Sequence, residues 1–218
     1  MKYYIIAGEA SGDLHASNLM KALKVKDPEA VFRFWGGDKM QAVGGALVKH
    51  YRELAFMGFW EVFINLLTIL KNIAFCKKDI LQFNPDTVIY VDYPGFNLRI
   101  AAWAKKQGFK NLYYISPQIW AWKENRISKI RRDLDALYVI LPFEETYYKE
   151  KHKYIAQFVG NPLVDVIQDS LLTKNTFRKD QNLNSEIPII ALLPGSRKQE
   201  IIKMMPTFLE VINRFPQY

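Results

Sequence analysis

Seven short runs rich in β-branched and aromatic residues recur along the chain, and their rhythm limits the fold more than any other feature. They are YYIIA (3–7), VFRFW (31–35), TVIYVD (87–92), NLYYI (111–115), ALYVIL (136–141), IAQFV (155–159) and PIIALL (188–193). Several close on a turn residue and pass into a helical pattern: DLHASNLMKALK, NLRIAAWAKKQG with its closing Gly108, and FEETYYKEK. Strands this apolar need cover on both faces. Alternating with helices, they predict an α/β protein built on a doubly wound parallel sheet.

The rhythm breaks between Asp165 and Glu186, where the chain turns polar and loses its period, as a connection between domains does. This predicts a first domain over 1–164, a linker over 165–186 and the beginning of a second domain over 187–218. That last stretch holds one strand (PIIALL), a Pro194-Gly195-Ser196-Arg197 turn and one amphipathic helix, too little for a complete domain.

A net charge of +8 and a pI near 9.4 point to an anionic partner: nucleic acid, a phosphorylated metabolite or an acidic membrane surface. The basic residues are spread rather than massed, and no helix-turn-helix, RNA-recognition or zinc signature is present, so nucleic acid is not expected. The lone Cys76 excludes an intrachain disulfide and fits a reducing cytosol; His15, His50 and His152 have no metal-ligand spacing, so no metal is expected. The apolar run at the N-terminus stops at Gly8, too short for a secretory signal.

In an open parallel sheet, ligands bind beyond the carboxyl ends of the strands. The first such turn is Gly8-Glu9-Ala10-Ser11-Gly12-Asp13, which reads either as an anion cradle at a helix N-terminus or as a tight turn capped by Asp13 or Ser11. After the strand at 87–92, Asp92 is placed to take a proton from a hydroxyl, or to cap a turn. After NLYYI comes SPQIWAW, with Lys123, Arg126, Lys129, Arg131 and Arg132 behind it: an apolar wall beside anion-binding cations, or core tryptophans beside a solvated helix. Pro194-Gly195-Ser196-Arg197 could seat a diphosphate on backbone N–H groups and one guanidinium.

Residues 56–78, FMGFWEVFINLLTILKNIAFCKK, are nearly all apolar around a helix except for a stripe of Glu61, Asn65, Thr68 and Asn72. With Lys71 among them, these polar groups make a membrane span costly. A central core helix and an interfacial helix both remain open.

Taken in order, IIAGEASGDLHAS, GGDKMQAVGG, LAFMGFWEV, VDYPGFN, YYISPQIWAWKENRISKI, LPFEETYY, VGNPLVD and LLPGSR resemble the lipid-A-disaccharide synthase family, glycosyltransferase family 19 of the GT-B class, from residue 5 to residue 197. The resemblance implies two Rossmann-like domains, the first handling acceptor and the second UDP-sugar. It implies an inverting transfer from a UDP-diacylglucosamine donor to a diacylglucosamine 1-phosphate acceptor, giving lipid A disaccharide 1-phosphate and UDP without a cofactor. Asp92 then becomes the candidate base and Arg197, with Gly195 and Ser196, the diphosphate contact. Glu9, Ser11 and Gly12 line the acceptor cleft, and Asn97, Ser116, Gln118 and Trp120 are further binding candidates. Many members carry a second Asp where Gly95 stands here, and members continue well past residue 218, so this piece alone is expected to retain acceptor or membrane binding but to turn over poorly or not at all.

An acylated substrate places the enzyme at a bilayer surface. Phe56, Phe59, Trp60, Phe63, Leu66, Leu67 and Leu70, flanked by Lys71, Lys77 and Lys78, are expected to dip into anionic lipid at the cytoplasmic face of the inner membrane. A homodimer is compatible with the sequence. The rival readings are another GT-B enzyme using UDP-N-acetylglucosamine, which SPQIWAW speaks against, and a non-catalytic membrane-surface module.

Overall fold

The computed structural model describes residues 1–54, 66–164, 167–168, 177–183, 188–195, 198–212 and 214–215. The chain divides into two compact units, 1–165 and 166–218. In the first, seven strands form one parallel sheet: β1 Lys2–Ala7, β2 Val31–Gly36, β3 Ala46–His50, β4 Thr87–Val91, β5 Lys110–Tyr114, β6 Ala136–Val139 and β7 Gln157–Phe158. Their order across the sheet is β3-β2-β1-β4-β5-β6-β7. The helices are α1 Ala10–Lys26, α2 Asp38–Val43, α3 Leu66–Phe83, α4 Pro94–Lys106, α5 Ile127–Asp133 and α6 Pro142–His152.

Period-two alternation along β1 shows how the sheet is covered. Tyr3, Ile5 and Ala7 join Phe32, Phe34, Ile89 and Val91 under Ala16 and Met20 of α1 and Met40 of α2. Tyr4 and Ile6 face the other way, into a larger cluster with Ile73, Cys76 and Ile80 of α3, Ile100 and Ala101 of α4, Ile130 of α5 and Tyr148 of α6. Burying both faces gives the doubly wound architecture that the strand rhythm predicts.

Helix α3 carries the second half of the apolar run and extends five residues beyond it. Its packed side is not wholly apolar: Asn72 and Asp79 are buried with Ile73, Cys76 and Ile80. Arg33 grips Asp79 through Nε at 2.8 Å, Tyr4 donates to the same carboxylate at 2.7 Å, and Trp35 donates to Tyr4 at 2.8 Å. Lys49 donates to Asn72 Oδ1 at 2.9 Å. A buried charge is tolerated only when paired and hydrogen-bonded, and this network meets that condition. Asn72, part of the polar stripe read from the sequence, therefore turns inward, while Leu67 and Leu70 stand 73% and 49% exposed. Phe59, Trp60 and Phe63, and the side chain of Leu66, lie outside the described residues. No described helix is long and apolar enough to cross a membrane.

In the second unit, Lys198–Ile212 forms the expected amphipathic helix, α7. The expected strand at 188–193 does not form: residues 188–195 have no regular secondary structure. A strand satisfies its N–H and C=O groups only through a neighbour, and the described residues of this unit include no other strand to pair with.

Candidate active site

Strands β1 and β4 are neighbours at the middle of the sheet, yet the chain leaves β1 for a helix on one face and β4 for a helix on the other. Such a switch point opens a crevice at the carboxyl ends of the two strands. Glu9, Ser11 and Gly12 stand beyond β1, and Asp92 and Tyr93 beyond β4.

The two turns touch. A Cβ on Gly8 would lie 2.5 Å from Cγ and 2.8 Å from Cε1 of Tyr93, so only glycine lets that ring sit against the end of β1. Burial, and then the charge of Glu9, raise the Tyr93 hydroxyl above its ordinary pKa of 10.0. Ser11 is exposed and Gly12 buried in the first turn of α1, and no side chain caps that helix. Neither Ser11 nor Asp13 is the α1 cap that the sequence allowed. Asp13 instead reaches sideways: Oδ1 accepts from Gly37 N at 2.7 Å and Met40 N at 3.1 Å, and Oδ2 from Lys39 N at 3.1 Å. It caps α2 and ties the GEASGD turn to GGDKM.

Asp92 and Tyr93 both adopt left-handed backbone, with φ of 45° and 48°. That conformation costs an L-residue about 1–2 kcal/mol and persists only where neighbours enforce it. Here the Asp92 carbonyl accepts from Tyr113 Oη at 2.6 Å and from Asn97 Nδ2 at 2.7 Å, and its N–H donates to Tyr114 O at 3.3 Å. Asn97 is fully buried and also reaches the carbonyls of Ile6 and Val91, each at 3.4 Å, so it binds the two strand ends together. Burial and then Asp92 hold the Tyr113 hydroxyl well above its ordinary pKa, while the Arg126 guanidinium opposes them.

The turn after β5 begins with Ile115 at φ 63°, rare for a β-branched residue. Ser116 is buried, its Oγ 2.7 Å from Tyr148 Oη. Gln118 is exposed. Trp120 stacks edge-on to Phe143 and donates through Nε1 to Glu144 at 3.2 Å. The second carboxylate oxygen of Glu144 accepts from Leu141 N at 3.0 Å and Ile140 N at 3.3 Å, which caps α6. The SPQIWAW and LPFE segments thus interlock as GEASGD and GGDKM do.

The sequence reading missed Tyr93, Tyr113, Tyr148 and Glu144, whose partners lie far off in the chain, and His15. His15 is buried in α1, its Nδ1 has no hydrogen-bond partner, and burial lowers its pKa below 6.5. In the second unit Gly195 takes φ 100°, a turn that disfavours any side chain; Ser196 and Arg197 lie outside the described residues. Among the described residues, no group of three or more His, Cys, Asp or Glu is placed to hold a metal ion.

Among solved structures, the fold is similar to that of a UDP-GlcNAc 2-epimerase from Neisseria meningitidis bound to UDP-GlcNAc, with a TM-score of 0.65 at 13% identity over 100% of this chain and 64% of that one. It is also similar to the S. aureus MnaA-UDP co-structure, with a TM-score of 0.54 at 15% identity over 85% of this chain and 48% of that one. At such identities the likeness is one of fold alone. Sequence separates the possibilities. The chain is 40% identical over 213 residues to the lipid-A-disaccharide synthase of Trichlorobacter lovleyi, covering 98% of this chain and 55% of the relative. It is 42% identical over 206 residues to that of Geobacter metallireducens, covering 94% and 53%. It spans about half the length of the curated relatives it matches. Residues 3–217 match the family described as Lipid-A-disaccharide synthetase, and the chain belongs to that family.

Proposed function

We propose that this chain forms the acceptor-side part of an inverting glycosyltransferase that joins UDP-2,3-diacylglucosamine to 2,3-diacylglucosamine 1-phosphate. The Asp92 carboxylate takes the proton of the acceptor hydroxyl as that oxygen attacks the donor's anomeric carbon. The bond from that carbon to the diphosphate breaks, and UDP leaves. Gly195, Ser196 and Arg197 carry the diphosphate charge, with the backbone N–H groups opening α7, so the step calls for no metal. Glu9, Ser11, Gly12, Gln118 and Trp120 line the acceptor side, while Asn97 and Ser116 hold the turns that present it. The exposed face of α3, with Leu67 and Leu70, rests on anionic lipid at the cytoplasmic side of the inner membrane.

The observation that carries this reading is the position of Asp92, at the switch point and held in left-handed backbone by Tyr113 and Asn97. In a protein of the relatives' full length, Asp92→Asn is expected to lower kcat by roughly 10²- to 10⁴-fold with little change in KM. Undiminished turnover would refute the role of Asp92. The 218-residue chain alone is expected to release no UDP from both acylated sugars; release would show that it holds a working donor site.

A further inference from the structure

The segment behind SPQIWAW carries five cations, and their partners divide them. Arg132 is paired with Asp133 at 2.7 Å, and Arg131 donates to the carbonyl of His152. Lys129, exposed, lies a turn further along. The acids nearby are occupied. Glu124 meets Lys151 at 2.8 Å, and Glu144 gives its oxygens to Trp120 and to the start of α6. Lys123 and Arg126 have no ion-pair partner among the described residues.

Both instead lie over one indole. Lys123 Nζ stands 4.4 Å and Arg126 Cζ 5.0 Å from the ring centroid of Trp122, itself 55% exposed. Lys123 is in left-handed backbone, φ 55°, at the step from the tryptophan turn into the 3₁₀ turn that holds Arg126. A guanidinium lying over an aromatic ring keeps its N–H edge free for an anion, and the ring fixes its plane. Arg126 is half-buried, which strengthens any charged contact it makes. Arg126 immediately precedes α5, which returns the chain from β5 to β6, so it stands at the carboxyl-end side of the sheet, as Asp92 does beyond the neighbouring strand β4.

We propose that Arg126 and Lys123, seated on Trp122, form a binding site for a phosphate monoester, and that in the proposed reaction it holds the 1-phosphate of the acceptor sugar. This rests on the proposed function for the ligand's identity, although the site itself does not. Two cations match the charge of a monoester dianion, and the guanidinium fork takes two of its oxygens. Holding that phosphate would set the acceptor's orientation before its hydroxyl reaches Asp92.

A lipid headgroup offers the same phosphate chemistry, so the test has two arms on the 218-residue chain. Glucosamine 1-phosphate is titrated while the Trp122 indole and Arg126 Nε–H signals are followed by NMR, and binding to phosphatidylglycerol vesicles is measured by sedimentation. Arg126→Gln with Lys123→Gln is expected to weaken the sugar phosphate by roughly 10- to 100-fold and leave vesicle binding little changed. Arg126→Lys, which keeps the charge but loses the fork, is expected to fall between; unchanged circular dichroism and urea midpoints show that the variants are folded. Three results overturn the proposal: no saturable signal from the unsubstituted chain, equal affinity in the variants, or a loss confined to vesicles. None depends on turnover, so failure here is distinct from failure of Asp92 as the base.

Discussion

Replacing Asp13 with alanine tests whether the acid of the GEASGD turn is scaffold or ligand. Its carboxylate accepts three backbone N–H groups from 24 to 27 residues away, two of them fully buried, and it is buried itself. Removing it leaves the N–H groups of Gly37 and Met40 without an acceptor, at about 1–3 kcal/mol each, while Lys39 N can turn to water. The loss should come to about 3–5 kcal/mol, a large part of a domain's stability. Asp13→Asn keeps an oxygen for Gly37 and Met40 and sets its NH₂ against Lys39 N, so it should cost less, about 1–2 kcal/mol. Urea unfolding followed by tryptophan fluorescence measures both. The reasoning fails if Asp13→Ala costs under about 1 kcal/mol, or if Asn is the worse substitution. Full stability with lost sugar-phosphate binding would make Asp13 a ligand group instead.

Tyr148→Phe strips Ser116 of its 2.7 Å partner and should cost about 1–2 kcal/mol, read from the same urea midpoint. Burial lowers the pKa of His15, so the unfolded chain binds the proton more readily, and stability is lost as pH falls from about 6.5 through the folded value. His15→Gln should therefore gain on the unsubstituted protein between about pH 7.5 and 5.5; parallel stability curves would refute this. Leu67→Ser with Leu70→Ser, both exposed, should change stability by about 0.5 kcal/mol or less per site yet weaken binding to anionic vesicles by roughly tenfold or more.

What could be read in advance follows from where each signal lies. Strands β1, β4, β5 and β6 are legible because parallel strands covered on both faces become continuous apolar runs. Strand β3, ALVKH, escaped notice: it is an edge strand, half exposed, and carries Lys49 and His50 in place of such a run. PIIALL shows the converse, since an apolar run is visible in one segment whereas a pairing partner is not. The polar anchors were hidden for a related reason. Asp13 works on backbone N–H groups and Glu144 on an indole 24 residues away, and neither acceptor advertises its donor in the sequence.

Asp92 is the intermediate case. A rule about strand ends finds its position, but nothing local announces two successive non-glycine residues in left-handed backbone. The structure enforces them from three directions: the Tyr113 hydroxyl, the Asn97 amide and the missing side chain at Gly8 that admits Tyr93. Of these restraints, Tyr113 and Asn97 act on the Asp92 carbonyl, and Gly8 acts on the neighbouring ring. Asp92→Asn keeps all three of these restraints and removes the charge that can take a proton, whereas Tyr113→Phe or Gly8→Ala removes a restraint and keeps the carboxylate's chemistry, so turnover should fall further in the first than in either of the others.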